Sequence, residues 1–383
     1  MRNGGAGSGS RRDRVRAEAR RLLAAGVTGT VFPGATACLS WRARDPKVGA
    51  GDVEWAEASA GTTGGPGARP VGDDTPFDLA SLTKPLIAAI ALRLAARGVI
   101  TLETRADALM PDARGTPGGS ATLEQLLTHR SGLAPWGGLY LDVPHDPGTS
   151  AARRWIIAEA CRRPDEGTPG RAVYSDLGYM LAGEMLARAA GRDLDDLLKQ
   201  EIVRPLGIAE DQMMFAGALP PDRRAELARR CAATERDDWR GVMVRGEVHD
   251  ENCAALGGVA GHAGVFASAR AMATFGRAYL DSRAGRSSFL PQELIERALA
   301  LRPGGTHRLG WDAKSPENSA AGKRLSAETF GHLGFTGTSI YCDPQRDLVI
   351  VLLTNRVCPS RANEKIKGFR PAFHDGVVAV IDL

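Results

Sequence analysis

The sequence predicts an α/β (α+β) fold in which one antiparallel sheet, built from both chain ends and flanked by helices, carries an inserted, mostly helical lobe. Three observations predict it. Strand-like apolar runs occur early, as ATACLSW (35–41) and VEWAEASA (53–60), and late, as GTSIYCD (337–343) and DLVIVLLTN (347–355). Helical periods dominate the stretch between them. One of those helices, PLIAAIALRLAARG from Pro85 to Gly98, is apolar on nearly every side, as a helix packed between two layers would be.

Taken in chain order, Met1 to Ser10 is expected to be disordered, and RRDRVRAEARRLLAAGV to form an amphipathic first helix. The two early apolar runs flank a charged Gly/Pro/Asp turn and read as a hairpin. The apolar helix begins at the Ser81–Lys84 turn and stops at Gly98, a C-cap signal. Further helices fit TLEQLLTHR (122–130), ARRWIIAEACRR (152–163), DLGYMLAGEMLARAAG (176–191) and DLDDLLKQEIVRPLG (193–207). After the glycine-rich GGVAGHAG (257–264), a helix fits ARAMATFGRAYLDS (269–282). The two late strands are joined by the turn PQR, and a last helix fits Pro371 to Ile381. These elements divide the chain into a sheet domain, 11–105 with 257–383, and a helical domain, 106–256, with a cleft where they meet.

Composition narrows the partners. With 43% hydrophobic and 25% charged residues the balance is that of an ordinary globular protein, and the net charge of +4 is spread among interspersed acids and bases. That is not a nucleic-acid footprint. The six cysteines, Cys38, Cys161, Cys231, Cys253, Cys342 and Cys358, form no C-x-x-C pair and read as reduced thiols. No H-E-x-x-H, G-x-x-x-x-G-K or G-x-G-x-x-G occurs, so neither a metal nor a nucleotide cofactor is expected. Acids interrupt the basic N-terminal run, the apolar stretch after it is short, and Gly29 and Pro33 break its continuation. A cytoplasmic protein without a signal peptide is therefore expected. No run approaches the ~20 apolar residues of a membrane-spanning helix. The expected partner is a small-molecule substrate.

Three motifs carry chemistry. In FDLASLTKPL (77–86), Ser81 and Lys84 lie three residues apart, on one helix face, and theirs is the single S-x-x-K spacing in the chain. A serine hydroxyl needs such a neighbouring base to become a nucleophile. The ordinary alternative is a helix-capping Ser81 with a solvated Lys84. Pro85 lacks the N–H that would bond the Ser81 carbonyl, and the helix dipole favours charge building at Ser81. The second motif is Tyr174-Ser175-Asp176, directly before a helix, where Asp176 would serve as an N-cap and Tyr174 as a core aromatic in the plainer reading. The third is GHLGFTGTS (331–339), a glycine-flanked strand edge along which a substrate could lie.

In this order the three motifs resemble those of the serine β-lactamase and penicillin-binding-protein superfamily, and specifically a class C β-lactamase-related serine hydrolase. TPFDLASLTK (75–84), TLEQLLTHRSGL (122–133), YSDLGYMLAGEML (174–186) and PLGI (205–208) add to the likeness, which spans the chain from about Phe32 onward. The segment GEVHDENCAALGGVAGHAGVF (246–266) is similar to a subgroup of cell-wall-related hydrolases that includes an amidase acting on muramyl peptides. The resemblance implies a β-lactamase/transpeptidase-like fold and a Ser81 acyl-enzyme. It implies that Lys84 and Tyr174 handle the serine proton, and that the N–H groups of Ser81 and Phe335 form an oxyanion hole worth about 3 kcal/mol per donor.

Two departures shape the expected specificity. Asp176 stands where many relatives have Asn, and its carboxylate should hold Lys84 charged and leave more of the base role to Tyr174. His332-Leu333-Gly334 stands where familiar β-lactamases have Lys-Thr-Gly, which exchanges a permanent cation for a partly charged imidazole. Hydrolysis of an amide or ester in a less acidic molecule, peptidoglycan-derived or related, fits better than efficient β-lactam or D-Ala carboxypeptide cleavage. His249, Asp250 and Glu251, with His262, are expected either to hydrogen-bond a loop beside the cleft or to shape the pocket. A carboxylesterase, a weak β-lactamase and a non-catalytic binding protein of the same fold stay as alternatives. An α/β-hydrolase does not, because no G-x-S-x-G occurs.

Overall fold

A computed structural model describes residues 10–42, 52–164 and 171–383. The disorder expected before Ser10, the turn between the hairpin strands and the residues just before Arg171 lie outside them. Ser10 accepts the Asp13 N–H and opens helix α1 (Arg11–Thr28). Strands β1 (Gly34–Arg42) and β2 (Val53–Gly61) form the expected antiparallel pair. The two-residue β3 (Phe77–Asp78) runs through a tight turn at Ala80–Leu82 into α2 (Thr83–Ala96). The helical region contributes α3 (Leu123–Leu127), α4 (Ser150–Arg162), α5 (Asp176–Ala190), β4 (Met213–Phe215) and α6 (Glu251–Ala255). The chain returns through β5 (Val265–Ala267) and α7 (Ala269–Arg283) to β6 (Asp312–Ala313), β7 (Phe330–Leu333), β8 (Ser339–Asp343), β9 (Leu348–Thr354) and α8 (Ile366–Ile381).

The main sheet runs β2–β1–β9–β8–β7–β6, and every neighbouring pair is antiparallel. It therefore joins the two chain ends: Cys38 of β1 stands opposite Val351 of β9 on one side and Glu57 of β2 on the other. Alternation sorts the strand residues onto two faces. Cys38, Ile340, Cys342, Val349 and Val351 join the large core that also holds α2, α5 and α7. Leu39, Trp41, Tyr341, Ile350 and Leu352 face the other way, onto Val15, Ala19 and Leu23 of α1 and Phe373 and Val377 of α8. Strand β9 is buried at all seven positions, which is why it reads as a continuous apolar run. A second, three-stranded sheet, β3–β5–β4, links the segment before Ser81 to the segment after His262.

Several boundaries differ from the sequence reading, each for a local reason. The helix expected over 122–130 stops at Leu127, because His129 adopts a positive φ of 58° that ends the turn. The stretch 193–207 is α-helical only over Leu194–Leu198 and widens into a π-turn at Lys199–Val203. The last helix begins five residues earlier than its proline, with Pro371 inside it. The edge strand β6 and its neighbour β7 were not anticipated, since runs of two and four residues carry almost no periodicity.

Candidate active site

Ser81 sits on a constrained turn. Ala80, just before it, holds a φ of 47°, costly for a residue with a Cβ. Asp78 sustains that conformation: one carboxylate oxygen accepts the Ala80 N–H at 2.8 Å, and the other accepts the His249 N–H at 2.6 Å. The Thr336 and Thr338 hydroxyls donate to the carbonyls of Asp78 and Leu79 at 2.8 and 3.0 Å. The Ser81 turn is thus tied to the α6 loop and to the β7–β8 turn. Among the described residues, the backbone N–H groups of Ser81 and Phe335 have no acceptor.

Lys84 is fully buried and surrounded by acceptors. Its Nζ donates to Ser81 Oγ at 2.9 Å and to the His262 carbonyl at 3.1 Å, and it lies 2.6 Å from Asp176 Oδ1. Burial alone would lower its pKa, but the Asp176 carboxylate and then Tyr174 more than reverse this and raise it. Lys84 is accordingly an ammonium at rest. Tyr174 lies with its ring centroid 4.9 Å from that nitrogen, and burial raises its phenol above the ordinary value despite the pull of Lys84. The N-cap expected at Asp176 belongs instead to Ser175, whose hydroxyl accepts the Gly178 N–H at 3.1 Å. That shift leaves the Asp176 carboxylate free to meet Lys84.

Behind Tyr174 lies a histidine layer. His129 is 4.6 Å from the Tyr174 ring, centroid to centroid, and its Nδ1 accepts the Ser175 N–H at 2.9 Å. Burial, then His307 and Lys84, hold His129 well below the usual imidazole range. His332, expected to face substrate, is buried in this layer with its Nδ1 2.9 Å from the Leu333 carbonyl. Burial pushes it down to about 4, so it is neutral where a partly charged ring was expected. The residues after it, Leu333, Gly334 and Phe335, face the cavity.

That cavity holds about 570 Å³ and is bounded by Ser81, Tyr174, Asp176, His262, Phe335 and Trp136, among others. Trp136 and Phe335 are each 49% exposed and form its aromatic rim. The Phe335 ring stacks on His249 at 5.6 Å, while the Arg356 guanidinium lies 4.6 Å from its centroid. The four residues His249 to Asn252 each hold a different wall. His249 binds Asp78 through its N–H and Glu235 through Nε2, at 2.7 Å. Asp250 meets His262 Nε2 at 2.9 Å and caps α6 through the Cys253 N–H. Glu251 pairs with Arg361 at 2.5 Å, and Asn252 bonds the Gly137 carbonyl and the Tyr140 N–H beside Trp136. The segment is hydrogen-bonded throughout, and His249, Asp250 and Glu251 border the cavity. No group of three or more His, Cys, Asp or Glu among the described residues is placed to hold a metal ion, and no described helix is long and apolar enough to cross a membrane.

The sequence reading missed Asp78, His129, Glu235, Asn252, Trp136 and Arg361. Asp78 and Asn252 stood inside quoted motifs. A tryptophan beside two glycines at Trp136–Gly138 was the available signal for the rim.

A sequence profile of the family described as Beta-lactamase matches residues 22–368. Over 310 residues the chain is 31% identical to the N-acetylmuramyl-L-alanine amidase of Bacillus subtilis (strain 168), covering 74% of this chain and 68% of that protein. The structure of a class C beta lactamase from Rhodobacter sphaeroides superposes with a TM-score of 0.68 at 19% identity, over 96% of this chain and 99% of the other. EstCE1, a hydrolase with promiscuous acyltransferase activity, does so with a TM-score of 0.73 at 16% identity, over 95% and 98%. These two likenesses establish the β-lactamase/transpeptidase-like fold.

Proposed function

The chain belongs to the Beta-lactamase family and is a β-lactamase-related serine hydrolase, and from that premise we propose that Ser81 forms an acyl-enzyme with the amide or ester carbonyl of a small, peptidoglycan-derived or related molecule. The observation that carries the reading is the 2.9 Å hydrogen bond from Lys84 Nζ to Ser81 Oγ at the floor of the cavity. That bond aims the hydroxyl, and the adjacent Tyr174, once ionised to its phenolate, accepts its proton as Oγ attacks. The free N–H groups of Ser81 and Phe335 receive the oxyanion. Tyr174 then returns the proton to the leaving amine or alcohol.

The amide and the peptidoglycan-derived class are supported by the likeness to the Bacillus subtilis amidase. The neutral, buried His332 does not itself offer a charge to a substrate carboxylate, which supports a substrate without one at that position. A cytoplasmic setting is part of the reading and is supported by six unpaired, buried thiols.

Intact-protein mass after exposure to a serine-reactive phosphonate, a penicillin and a nitrophenyl ester tests this, with wild type and Ser81→Ala side by side. The expected result is an adduct on wild type that is absent from the variant. Hydrolysis by Ser81→Ala above about one per cent of wild type overturns the assignment.

A further inference from the structure

Attack by Ser81 Oγ drives negative charge onto the carbonyl oxygen of the substrate. On the acyl-enzyme reading two backbone N–H groups receive it, and one of them belongs to the Gly334–Phe335 peptide. Among the described residues that N–H has no acceptor. The carbonyl at the other end of the same peptide is fully engaged. Gly334 O accepts the Gly337 N–H at 3.1 Å and Arg370 Nη2 of α8 at 2.9 Å. The next carbonyl, that of Phe335, accepts Arg356 Nε at 2.9 Å. Both peptide units that meet at Phe335 are therefore held by guanidinium groups.

Neither arginine has an ordinary ion-pair role. Arg370 is 7% exposed and Arg356 8%, and no carboxylate among the described residues pairs with either. Burial pushes Arg370 down to about 10, which leaves it charged at neutrality. A buried cation without a counter-ion is costly, so its charge has to be held by the dipoles around it. The dipole it meets here is the peptide whose N–H faces the reaction. A cation bonded to an amide oxygen draws electron density from the amide nitrogen and makes its N–H a stronger donor. The surroundings keep that peptide in place. Arg370 Nη2 also donates to Thr338 O at 2.8 Å, and the Thr338 hydroxyl reaches the carbonyl of Leu79, two residues before Ser81. A Cβ on Gly334 would collide with the Thr338 hydroxyl, so the turn has no room for a side chain there.

Resting on the acyl-enzyme reading, we propose that Arg370, supported by Arg356, is a positioning residue for the oxyanion hole. It fixes the plane of the Gly334–Phe335 peptide and polarises its N–H toward the reacting carbonyl. Its charge acts through the peptide, not by contact with the reacting atoms.

The test uses nitrophenyl acetate with wild type, Arg370→Gln and Arg370→Lys. His374→Ala, on the same helix but against Tyr341, is the control for lost stability alone. Stopped-flow absorbance reads acylation, and isotope-edited infrared spectroscopy reads the carbonyl band of acetyl-Ser81, which rises in frequency as its hydrogen-bond donors weaken. Expected in Arg370→Gln are acylation slower by roughly 10–10²-fold at saturating ester, apparent ester affinity within about twofold of wild type, and a band at higher frequency. Arg370→Lys keeps the charge without the planar fork and should fall between the two. His374→Ala should match wild type in both readings.

Rate and band both unaltered in the Arg370 variants overturn the proposal. So does a slower rate with an unmoved band, or a band that moves as far in His374→Ala. Where Arg370→Gln does not fold, Arg370→Lys decides by the same two readings. A wild type that forms no acetyl adduct fails the acyl-enzyme reading and this inference with it, whereas a normal adduct with unaltered variants fails this inference alone.

Discussion

The buried Lys84 ammonium lies 2.6 Å from the Asp176 carboxylate, and this pair sets the charge of the cluster around Ser81. With Lys84 held protonated and the Tyr174 phenol raised by burial, both candidate bases for acylation keep their protons at neutrality. The burst rate with an ester should therefore climb as the medium becomes alkaline. Asp176→Asn removes the carboxylate that raises Lys84, so the climbing limb should move to lower pH, by about one unit or more. A pH profile of the burst rate in both proteins checks this, and a limb that stays in place counts against the ion pair as its cause.

Asp78 should matter beyond its size. Asp78→Ala leaves the buried N–H groups of Ala80 and His249 without acceptors, at about 1–3 kcal/mol each. The expected outcome is a lower melting temperature together with a loss of acylation of at least about tenfold, as the Ser81 turn relaxes. Calorimetry alongside burst kinetics separates the two, and a variant with native burst rate would show that the turn holds itself.

Trp136 should act on binding alone. It is half exposed on the cavity rim, so Trp136→Ala should change stability by no more than ~0.5 kcal/mol. KM for a substrate long enough to reach the rim should rise several-fold with kcat retained, the pattern of lost uniform binding. A fall in kcat with KM unchanged would contradict it.

Acid should unfold the protein through its buried imidazoles. His332 and His374 are both lowered from 6.5 to about 4, in each case chiefly by burial. Because the unfolded chain binds protons more readily between these values, the stability they contribute is complete above pH ~6.5 and is lost as pH falls toward 4. Each group accounts for a change on the order of 3 kcal/mol. His374→Gln should flatten the urea-midpoint profile across that window; an unchanged slope would exclude His374 as a contributor.

The thiols should be silent in the native state. All six cysteines are buried and unpaired, and burial raises the thiol of Cys231 to about 12. A neutral thiol reagent should label none of them in the folded protein and six after unfolding. Fast native labelling would reveal an opening of the fold near the reactive residue.

The Ser81–Lys84 pair was legible in the sequence because its relation is local: the two are three residues apart on one helix face. The sheet built from both ends was legible for a similar reason, since β1, β2 and β9 are long enough for their apolar runs to declare themselves. Boundaries failed where a single residue decided them, as at His129 and Ser175.

By itself, then, the sequence determined the layered fold, the S-x-x-K turn and the suspicion that His249, Asp250 and His262 belong near the cleft, while Tyr174 was singled out by the family resemblance. Tertiary structure alone decided what those groups do to one another. Asp78 finds His249 171 positions away, and Lys84 finds the His262 carbonyl 178 positions away. It moved His332 from the expected substrate face into a buried layer, and it paired Asp250 with His262. The physical reason is that charge state, tautomer and orientation depend on burial and on partners brought together by packing. Neither periodicity nor spacing along the chain records which distant side chain will stand within 3 Å.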